Sequence, residues 1–489
     1  MGSLPPRALR KLLALHVHFV ARVVLMREMM REFAGVLACL LVTGCVADVA
    51  GSNDSDHVPI SAKSSNGSKD ATGFGDTVDA NGSIDNTNAF FASLGTNGRS
   101  CGTCHVQSEG WTITPADVQA RFQATGGTDP IFRTNDGTVS PNADVSTVSA
   151  RQSAYAMLLS KAVIRVGIGI PANAEFSLVD VDDPYNGATA AQLSLFRRPL
   201  PSTNLAFLST VMWDGRENRS PFDLDASLTQ QATDATLGHA QATGATASTM
   251  SSIEAFETAL FTAQTQDNNA GQLAKSGATG GPDNLANEPF YLGINDPLGH
   301  NPEGTPFNPV VFTLFDAWAP GILQDSNKAE AAARAAVYRG QQIFNTRQFQ
   351  ITGVGGLNDA LGQASITGTC TLCHDTPNVG DHSFAAPLNI GIADGSRRTP
   401  DMPLYTLRNN TTGETVQTTD PGRALITGKW ADIGKFKGPI LRGLSMRAPY
   451  FHNGSAASLA DAVAFYNTRF SIGLSAQDQS DLVAFLSVL

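Results

Sequence analysis

The chain has 489 residues, a formal net charge of −11 at neutral pH and only 16% charged residues. An acidic chain of this kind is a poor match for a nucleic-acid-binding protein and offers no basic face to a membrane. The length allows two or three domains, and with 42% hydrophobic residues the chain can build a buried core.

Residues 1–45 predict an export signal. The segment 29–45, MMREFAGVLACLLVTGC, has a charged start, an apolar run and a small residue before Cys45, as secretory signals do. Residues 42–45 resemble a lipobox, in which Cys45 becomes the acylated first residue of the mature protein; a plain cleaved signal is the alternative. We therefore expect a periplasmic protein that touches the membrane only through a lipid anchor, on the outer membrane.

The next segment, 46–85, is rich in Ser, Asn, Gly and Asp. Such composition predicts a disordered linker, because too few apolar residues are present to offset the entropy of ordering. We place a first folded domain at 86–326 and a second at 327–489.

Two cysteines and a histidine follow in a five-residue pattern, Cys101, Cys104 and His105. A zinc half-site and a redox dithiol are the first alternatives. The pattern recurs far along the chain as Cys370, Cys373 and His374.

Covalent c-type haem attachment accounts for all three residue types in both places. The two thiols add to the haem vinyl groups, and the adjoining imidazole becomes the proximal ligand of the iron. Zinc would instead require both distant pairs to converge on one ion, and a dithiol leaves the histidine without a role. The sequence thus predicts two covalent c-type haems.

Helical periodicity dominates the rest of the chain. Helices are predicted at 152–165, 251–265 and 328–344, and a capped C-terminal helix within 475–489, with an extended loop at 266–309. No ladder of alternating strands is evident. We predict a mostly α-helical protein with long loops.

Three further motifs carry a family resemblance: WDGR at 213–216, RAPYFHNGS at 447–455 and LADAVAFYN at 459–467. Around two haem-attachment motifs they resemble the bacterial di-haem cytochrome c peroxidase and MauG superfamily, over most of 86–489 and most densely after residue 340. The resemblance implies two cytochrome c-like domains whose haems flank the domain interface. One haem reacts with peroxide while the other stores or relays electrons, and Trp213 matches the family tryptophan between them; a core tryptophan is the alternative.

The resemblance also bears on the sixth ligand of the first haem. The removable distal histidine of the ordinary peroxidases falls at Arg121 here, and no histidine occurs between His105 and His239. We expect a five-coordinate, open iron at this haem. A methionine ligand is the alternative, drawn from Met157, Met212 and Met250, each of which also suits the core.

At the second haem, the ordinary peroxidases have a methionine fourteen residues after the histidine of the PYFH motif, and MauG has a tyrosine. The same count from His452 leads to Tyr466. A phenolate favours Fe(III) and Fe(IV) over Fe(II), so the resemblance implies a MauG-like, tyrosine-ligated branch able to hold oxidising equivalents, even with both irons as Fe(IV). Two alternatives remain: Tyr466 as a core residue, or His452 as the ligand. His382 is expected to be structural.

Cleavage of the peroxide bond needs a group that moves a proton near the open iron. The family glutamine corresponds to Gln231, but the glutamate ten residues later is replaced by Gln241, which cannot act as an acid. His239 is the nearest titratable replacement, equally compatible with a surface or core role. Glu254 and Glu257 are weaker candidates.

The family's interdomain calcium ion is the last implied cofactor. The carbonyls of Arg447 and Pro449 match its ligands by position, but Arg198 stands where the family has an asparagine. This departure puts the calcium in doubt.

Together these features predict a peroxide-dependent di-haem oxidoreductase that oxidises a small periplasmic electron donor or another substrate. A di-haem electron carrier is the first alternative. The second is an oxygenase that cleaves a polymer, because the long loop-rich first domain also resembles the rubber oxygenases.

Overall fold

The folded body begins earlier in the chain than predicted. The computed structural model describes residues 67–323 and 326–489, so the predicted signal and Cys45 lie outside the described residues. Strands β1 (Ser68–Lys69) and β2 (Gly73–Asp79) fall inside the predicted linker, and β2 is almost fully buried. The Thr77 hydroxyl hydrogen-bonds the Thr262 hydroxyl at 2.8 Å. Backbone pairing with a neighbouring strand and side-chain hydrogen bonds hold β2 in place. Because these contacts need few apolar residues, the composition of the segment resembles that of a linker.

The described residues contain ten α-helices. They are α1 (Pro115–Thr125), α2 (Val148–Ala154), α3 (Ala156–Lys161), α4 (Leu224–Gly238), α5 (Ala247–Thr258), α6 (Pro282–Leu285), α7 (Lys328–Thr346), α8 (Ala424–Thr427), α9 (Leu459–Arg469) and α10 (Ala476–Leu486). The predicted helices 251–265, 328–344 and 475–489 correspond to α5, α7 and α10. None of the described helices combines the length and apolar character needed to cross a bilayer.

The described residues also form eleven β-strands, so the prediction that the chain lacks a strand ladder is wrong. After β1 and β2 come β3 (Ile164–Ile168), β4 (Phe176–Asp182), β5 (Leu193–Arg197), β6 (Leu260–Asp267), β7 (Gly271–Gln272), β8 (Phe349–Thr352), β9 (Ser365–Gly368), β10 (Leu404–Asn409) and β11 (Thr415–Thr418). They form four antiparallel sheets in the orders β1-β2-β6-β7, β11-β10-β4, β3-β5 and β8-β9. β5 is buried along its whole length, polar residues included, so it lacks the alternating burial of a half-buried strand.

Two of these strands replace the ends of predicted helices. The segment 152–165 forms parts of α2 and α3 and then enters β3, while 251–265 leaves α5 and enters β6. Ala162, the residue after α3, has a φ of 48°, a left-handed conformation that ends the helix.

One sheet joins the two predicted domains. β4, from the first, pairs antiparallel with β10, from the second, through contacts such as Leu178 opposite Leu407. The boundary at 326 stays a prediction, and the two halves interlock on both sides of it.

Helices α7 and α10 pack closely against each other. A Cβ atom at Gly340 would lie only 2.0 Å from the Asp481 carbonyl oxygen, so only glycine permits this approach. Arg339 pairs with the Asp481 carboxylate at 2.7 Å, and Ser475 and Asp478 form a capping box at the start of α10. The pair forms one wall of a cavity that Cys370, Cys373 and His374 also line.

Candidate functional site

Each cysteine motif forms a tight turn that points its reactive groups into one cavity. The amide N–H groups of Cys104 and His105 both donate to the Cys101 carbonyl, at 3.1 and 3.0 Å. Cys101, Cys104 and His105 line a first cavity, and Cys370, Cys373 and His374 line a second. All four cysteines are free thiols, and burial raises the pKa of Cys370 and Cys373 to about 12.

The two motif histidines are held in the same way. His105 Nδ1 lies 3.0 Å from the Trp111 carbonyl oxygen, and His374 Nδ1 lies 2.6 Å from the Gly380 carbonyl oxygen. Burial lowers the pKa of each imidazole to about 4, so each ring is neutral and donates from Nδ1. Nε2 is then left with a lone pair for a metal, the arrangement that orients a histidine ligand.

One face of α4 forms a wall of the first cavity. Asp223 caps this helix by accepting from the Ala226 amide at 3.0 Å. The residues on the cavity face follow helical spacing: Leu228, Gln231, Ala232, Ala235, Thr236 and His239. The structure therefore brings the predicted Gln231 and His239 to the same cavity as His105.

His239 is held by a carboxylate that sequence reasoning did not identify. Its Nδ1 lies 2.5 Å from Asp136, which also pairs with Arg99 at 2.5 Å. Burial alone would raise the pKa of Asp136, but His239 and Arg99 together hold it below its ordinary value. The His239 side chain is 41% exposed, so the imidazole touches both solvent and cavity.

Glu257 is a further titratable group on this cavity. It projects from α5, is only 5% exposed and lines the cavity, and burial raises its pKa to about 7. Glu254, one turn earlier, is half-buried and hydrogen-bonds Thr258.

Arg121 stands at the position of the distal histidine, and three methionines are the alternative ligands of the first site. Arg121 donates to the Thr103 carbonyl and pairs with Asp129 at 2.7 Å. Met157 and Met250 are buried within hydrophobic clusters, whereas Met212 lines the cavity.

The second cavity is lined by α7, α9 and α10 and is strongly apolar. From α9 the lining residues are Leu459, Ala462, Val463 and Tyr466, at the spacing of one helix face. Ser458 and Asp461 form a capping box at the start of this helix, which fixes its register. Burial raises the pKa of Tyr466, so its phenolate requires a cation beside it.

His452 lines the same cavity. Its ring stacks on Phe436 with centroids 4.0 Å apart, and burial lowers its pKa to about 4. Its Nε2 is buried without a hydrogen-bond partner. Both predicted ligand alternatives, Tyr466 and His452, are thus gathered with His374.

Trp213 lies in the wall shared by the two cavities. Its indole lines both, donates to the Arg198 carbonyl at 2.8 Å and makes an edge contact with His452. The next residue of the WDGR motif, Asp214, is fully buried and pairs with Arg197 at 2.5 Å. Gly215 has a φ of 70°, where a side chain would be strained and a Cβ would meet Arg423.

The place of the family's calcium holds a guanidinium group. Arg198 donates to the carbonyls of Lys161 and Ala162, both at 3.3 Å, and of Arg447 at 3.1 Å. Burial, and then the nearby Arg447, lower the pKa of Arg198 to about 9, so the group is still charged at neutral pH. A fixed cation already binds these carbonyls, and the residues present do not fit a calcium ion.

The residues of both cavities do fit a covalent haem. Each combines two thiols, a neutral imidazole with a free Nε2 and a wide, mostly apolar lining. These are the groups needed to attach a porphyrin, hold its iron and exclude water.

Curated relatives match only part of the chain. The cytochrome-c peroxidase IdrP1 of Denitromonas iodatirespirans is 29% identical over 194 residues, 36% of this chain and 44% of that protein. IdrP2 of the same organism is 33% identical over 132 residues, 25% of this chain and 36% of that protein. Over these segments the chain is similar to cytochrome-c peroxidases. The predicted resemblance is confirmed at that level, and the tyrosine-ligated branch stays a prediction.

The other comparisons add a third relative and one solved structure. The cytochrome c551 peroxidase of Pseudomonas aeruginosa is 29% identical over 121 residues, 24% of this chain and 30% of that protein. The chain thus matches less than half the length of each of these relatives. No family model matches it. The crystal structure of a MauG-like protein associated with microbial copper homeostasis covers 82% of this chain and 86% of its own, at 16% identity and a TM-score of 0.36.

Proposed function

We propose that this chain is a di-haem c-type peroxidase that uses hydrogen peroxide to oxidise a small electron donor. The observation that carries the proposal is the pair of cavities, each with its own cysteine and histidine motif, that share Trp213 as a common wall. When bound, one haem would supply peroxide chemistry beside His105, and the other would supply electron transfer beside His374. The periplasmic location and lipid anchor rest on residues 29–45 alone.

The first cavity is the reactive one because its titratable side chains can transfer protons to and from a bound oxidant. His239 is oriented through Nδ1 by Asp136, which leaves Nε2 to carry a proton between solvent and cavity. Glu257 holds a second exchangeable proton inside the cavity, since its pKa of about 7 keeps it partly protonated at neutral pH. Gln231, on the same helix face as His239, supplies an amide hydrogen bond to a bound oxidant.

The second cavity is closed by a side-chain ligand. We assign that role to Tyr466, because the face of α9 directs it into the cavity that His374 lines. His452 instead lies against Trp213 and helps to build the route between the two cavities. Trp213 has contacts on both sides, which suits it to assist electron transfer between the sites.

Low-temperature EPR of the ferric holoprotein tests this assignment. We expect one high-spin and one low-spin centre in the wild type, and loss of the low-spin signal in Tyr466→Phe. Two low-spin centres in the wild type would favour the electron carrier. Survival of the low-spin signal in Tyr466→Phe, with its loss in His452→Ala, would transfer the ligand role to His452.

Peroxide turnover tests the proton carrier. We expect His239→Gln to lower turnover by about 10²-fold, the size usual for loss of a general acid or base, with EPR and haem content unchanged. Gln241→Ala is the matched control, because Gln241 occupies the family's acid position but is exposed and does not line the cavity. A spectrum that changes with dioxygen and not with peroxide would instead indicate an oxygenase.

A further inference from the structure

A third group of chemically active side chains lies outside both cavities. Asp296, Asp375 and His382 are 3%, 0% and 2% exposed. One ligand atom from each lies within 4.8 Å of the other two. From the sequence, His382 was expected to be structural, and no pattern pointed to the two aspartates.

Hydrogen bonds engage one polar atom of Asp296 and one of His382, and the other polar atom of each side chain is left without a partner. His382 Nδ1 lies 2.5 Å from Asp375 Oδ2, and Asp296 Oδ2 accepts from the His300 amide at 2.8 Å and from its Nδ1 at 2.7 Å. Asp296 Oδ1 and His382 Nε2 are buried and have no hydrogen-bond partner. Buried polar atoms without partners are rare in folded proteins and often mark the place of an ion or water.

Two buried carboxylates, Asp296 and Asp375, face two imidazoles, His300 and His382, and a neutral imidazole leaves the charge of its carboxylate uncompensated. Burial of unpaired charge is costly, and a bound cation removes that cost. The pair of Asp375 and His382 already has the form of a metal site, in which a carboxylate holds one ring nitrogen so that the other faces the metal.

We propose that Asp296 and His382, with Asp375 orienting the imidazole, bind a divalent transition-metal ion of the zinc class. Asp296 Oδ1 and His382 Nε2 are the protein ligands, and water completes the coordination. Zinc accepts one nitrogen and one carboxylate oxygen readily, whereas calcium takes six to eight oxygen ligands and is disfavoured here. His300, whose side chain is 42% exposed, forms the outer wall through its bond to Asp296.

The ion would fix a loop that serves the second cavity. Asp375 follows His374 directly, and the loop from Asp375 to His382 contains Gly380, whose carbonyl holds His374 Nδ1. A metal that joins the end of this loop to Asp296 would therefore fix the Gly380 carbonyl and, through it, the orientation of the His374 ring. The site is structural and is separate from the peroxide chemistry.

Metal counting on the tag-free holoprotein tests the proposal without reference to activity. After treatment with EDTA, exposure to zinc and gel filtration, we expect one zinc per chain in addition to the haem iron. Asp296→Asn should bind zinc at least 10-fold more weakly. Asp136→Asn is the matched control, because Asp136 is also buried and bonded at 2.5 Å to a histidine Nδ1; it should keep its zinc.

Three results would overturn the proposal: no retained zinc, retention of calcium in its place, or equal zinc binding by the wild type and Asp296→Asn. If Asp296→Asn does not fold, the wild type alone decides the question. Zinc should raise the melting temperature of the EDTA-treated protein more than calcium does, and the absence of a zinc effect would refute the site. Failure of peroxidase activity leaves this count of zinc unaffected.

Discussion

Replacement of Glu257 by glutamine should make the protein more stable at alkaline pH and slower as a peroxidase. Burial raises the pKa of this carboxyl from 4.5 to about 7 in the folded state. The folded protein therefore binds the proton more tightly than the unfolded chain does, and the free energy of unfolding falls as pH rises from 4.5 to 7. At about 1.36 kcal/mol per pKa unit, the ionised carboxylate costs about 3 kcal/mol above pH 7.

Glutamine has nearly the same shape and cannot ionise, so the variant should lose this pH dependence. Thermal unfolding followed by circular dichroism from pH 4.5 to 8.5 measures the difference. We expect equal stability near pH 4.5 and a rising advantage for Glu257→Gln that levels off above pH 7. Peroxide turnover, measured on the same samples, should fall because the cavity loses an exchangeable proton.

Glu254→Gln is the matched control, on the same helix but half-buried and outside the cavity. Burial and the nearby Asp225 raise the pKa of Glu254 as well, so this variant should show a pH dependence of the same sign but smaller size, with turnover unchanged. Parallel pH profiles for the wild type and Glu257→Gln would refute the reasoning, because a buried carboxyl with a raised pKa must produce a slope. A stabilised variant with full turnover would keep the electrostatic account and remove Glu257 from the proton chemistry.

Two further predictions concern the buried Arg198 and the contact between α7 and α10. Arg198→Asn removes three charge-assisted hydrogen bonds to carbonyls, worth roughly 1.5–3 kcal/mol each, and opens a place for calcium. The melting temperature of the variant should fall in EGTA and recover when calcium is added, whereas that of the wild type should not respond to calcium. Gly340→Ala places a methyl group 2.0 Å from the Asp481 carbonyl oxygen, so α7 and α10 must separate at a cost of about 1–3 kcal/mol despite the better helix propensity of alanine. Its melting temperature should fall together with the haem content of the second site, and a more stable variant would contradict the packing described here.

The parts of the fold that the sequence predicted well are those with a strong local signal. Helices α7 and α10 have long amphipathic patterns and α10 has a capping box, and both lie where expected. Tyr466 was located by counting from a motif, and the face of α9 carries it to the expected cavity. Local periodicity and short motifs are sufficient for such elements because the information lies within a few turns of the chain.

The features that were missed depend on contacts between distant segments. β4 and β10 are separated by more than two hundred residues, and the pattern within one strand cannot indicate which distant strand is its partner. Asp136 meets His239 across 103 residues, and no spacing rule could have joined them. Arg198 stood out only as a departure from the family asparagine, and its role as a cation for three carbonyls required the structure.

The two cavities share the arrangement of their cysteine and histidine motifs and differ in the side chains of the opposite walls. In each motif the histidine holds a backbone carbonyl six residues later, His105 with Trp111 and His374 with Gly380, so the proximal arrangement is the same twice over. The difference in chemistry must then come from the remaining walls. The first cavity adds His239 at a solvent-exposed edge, whereas the second adds Tyr466 from an apolar helix face. A peroxide site needs proton exchange with water and an electron store needs its exclusion, so this division of the walls favours a reactive first site and a closed second one.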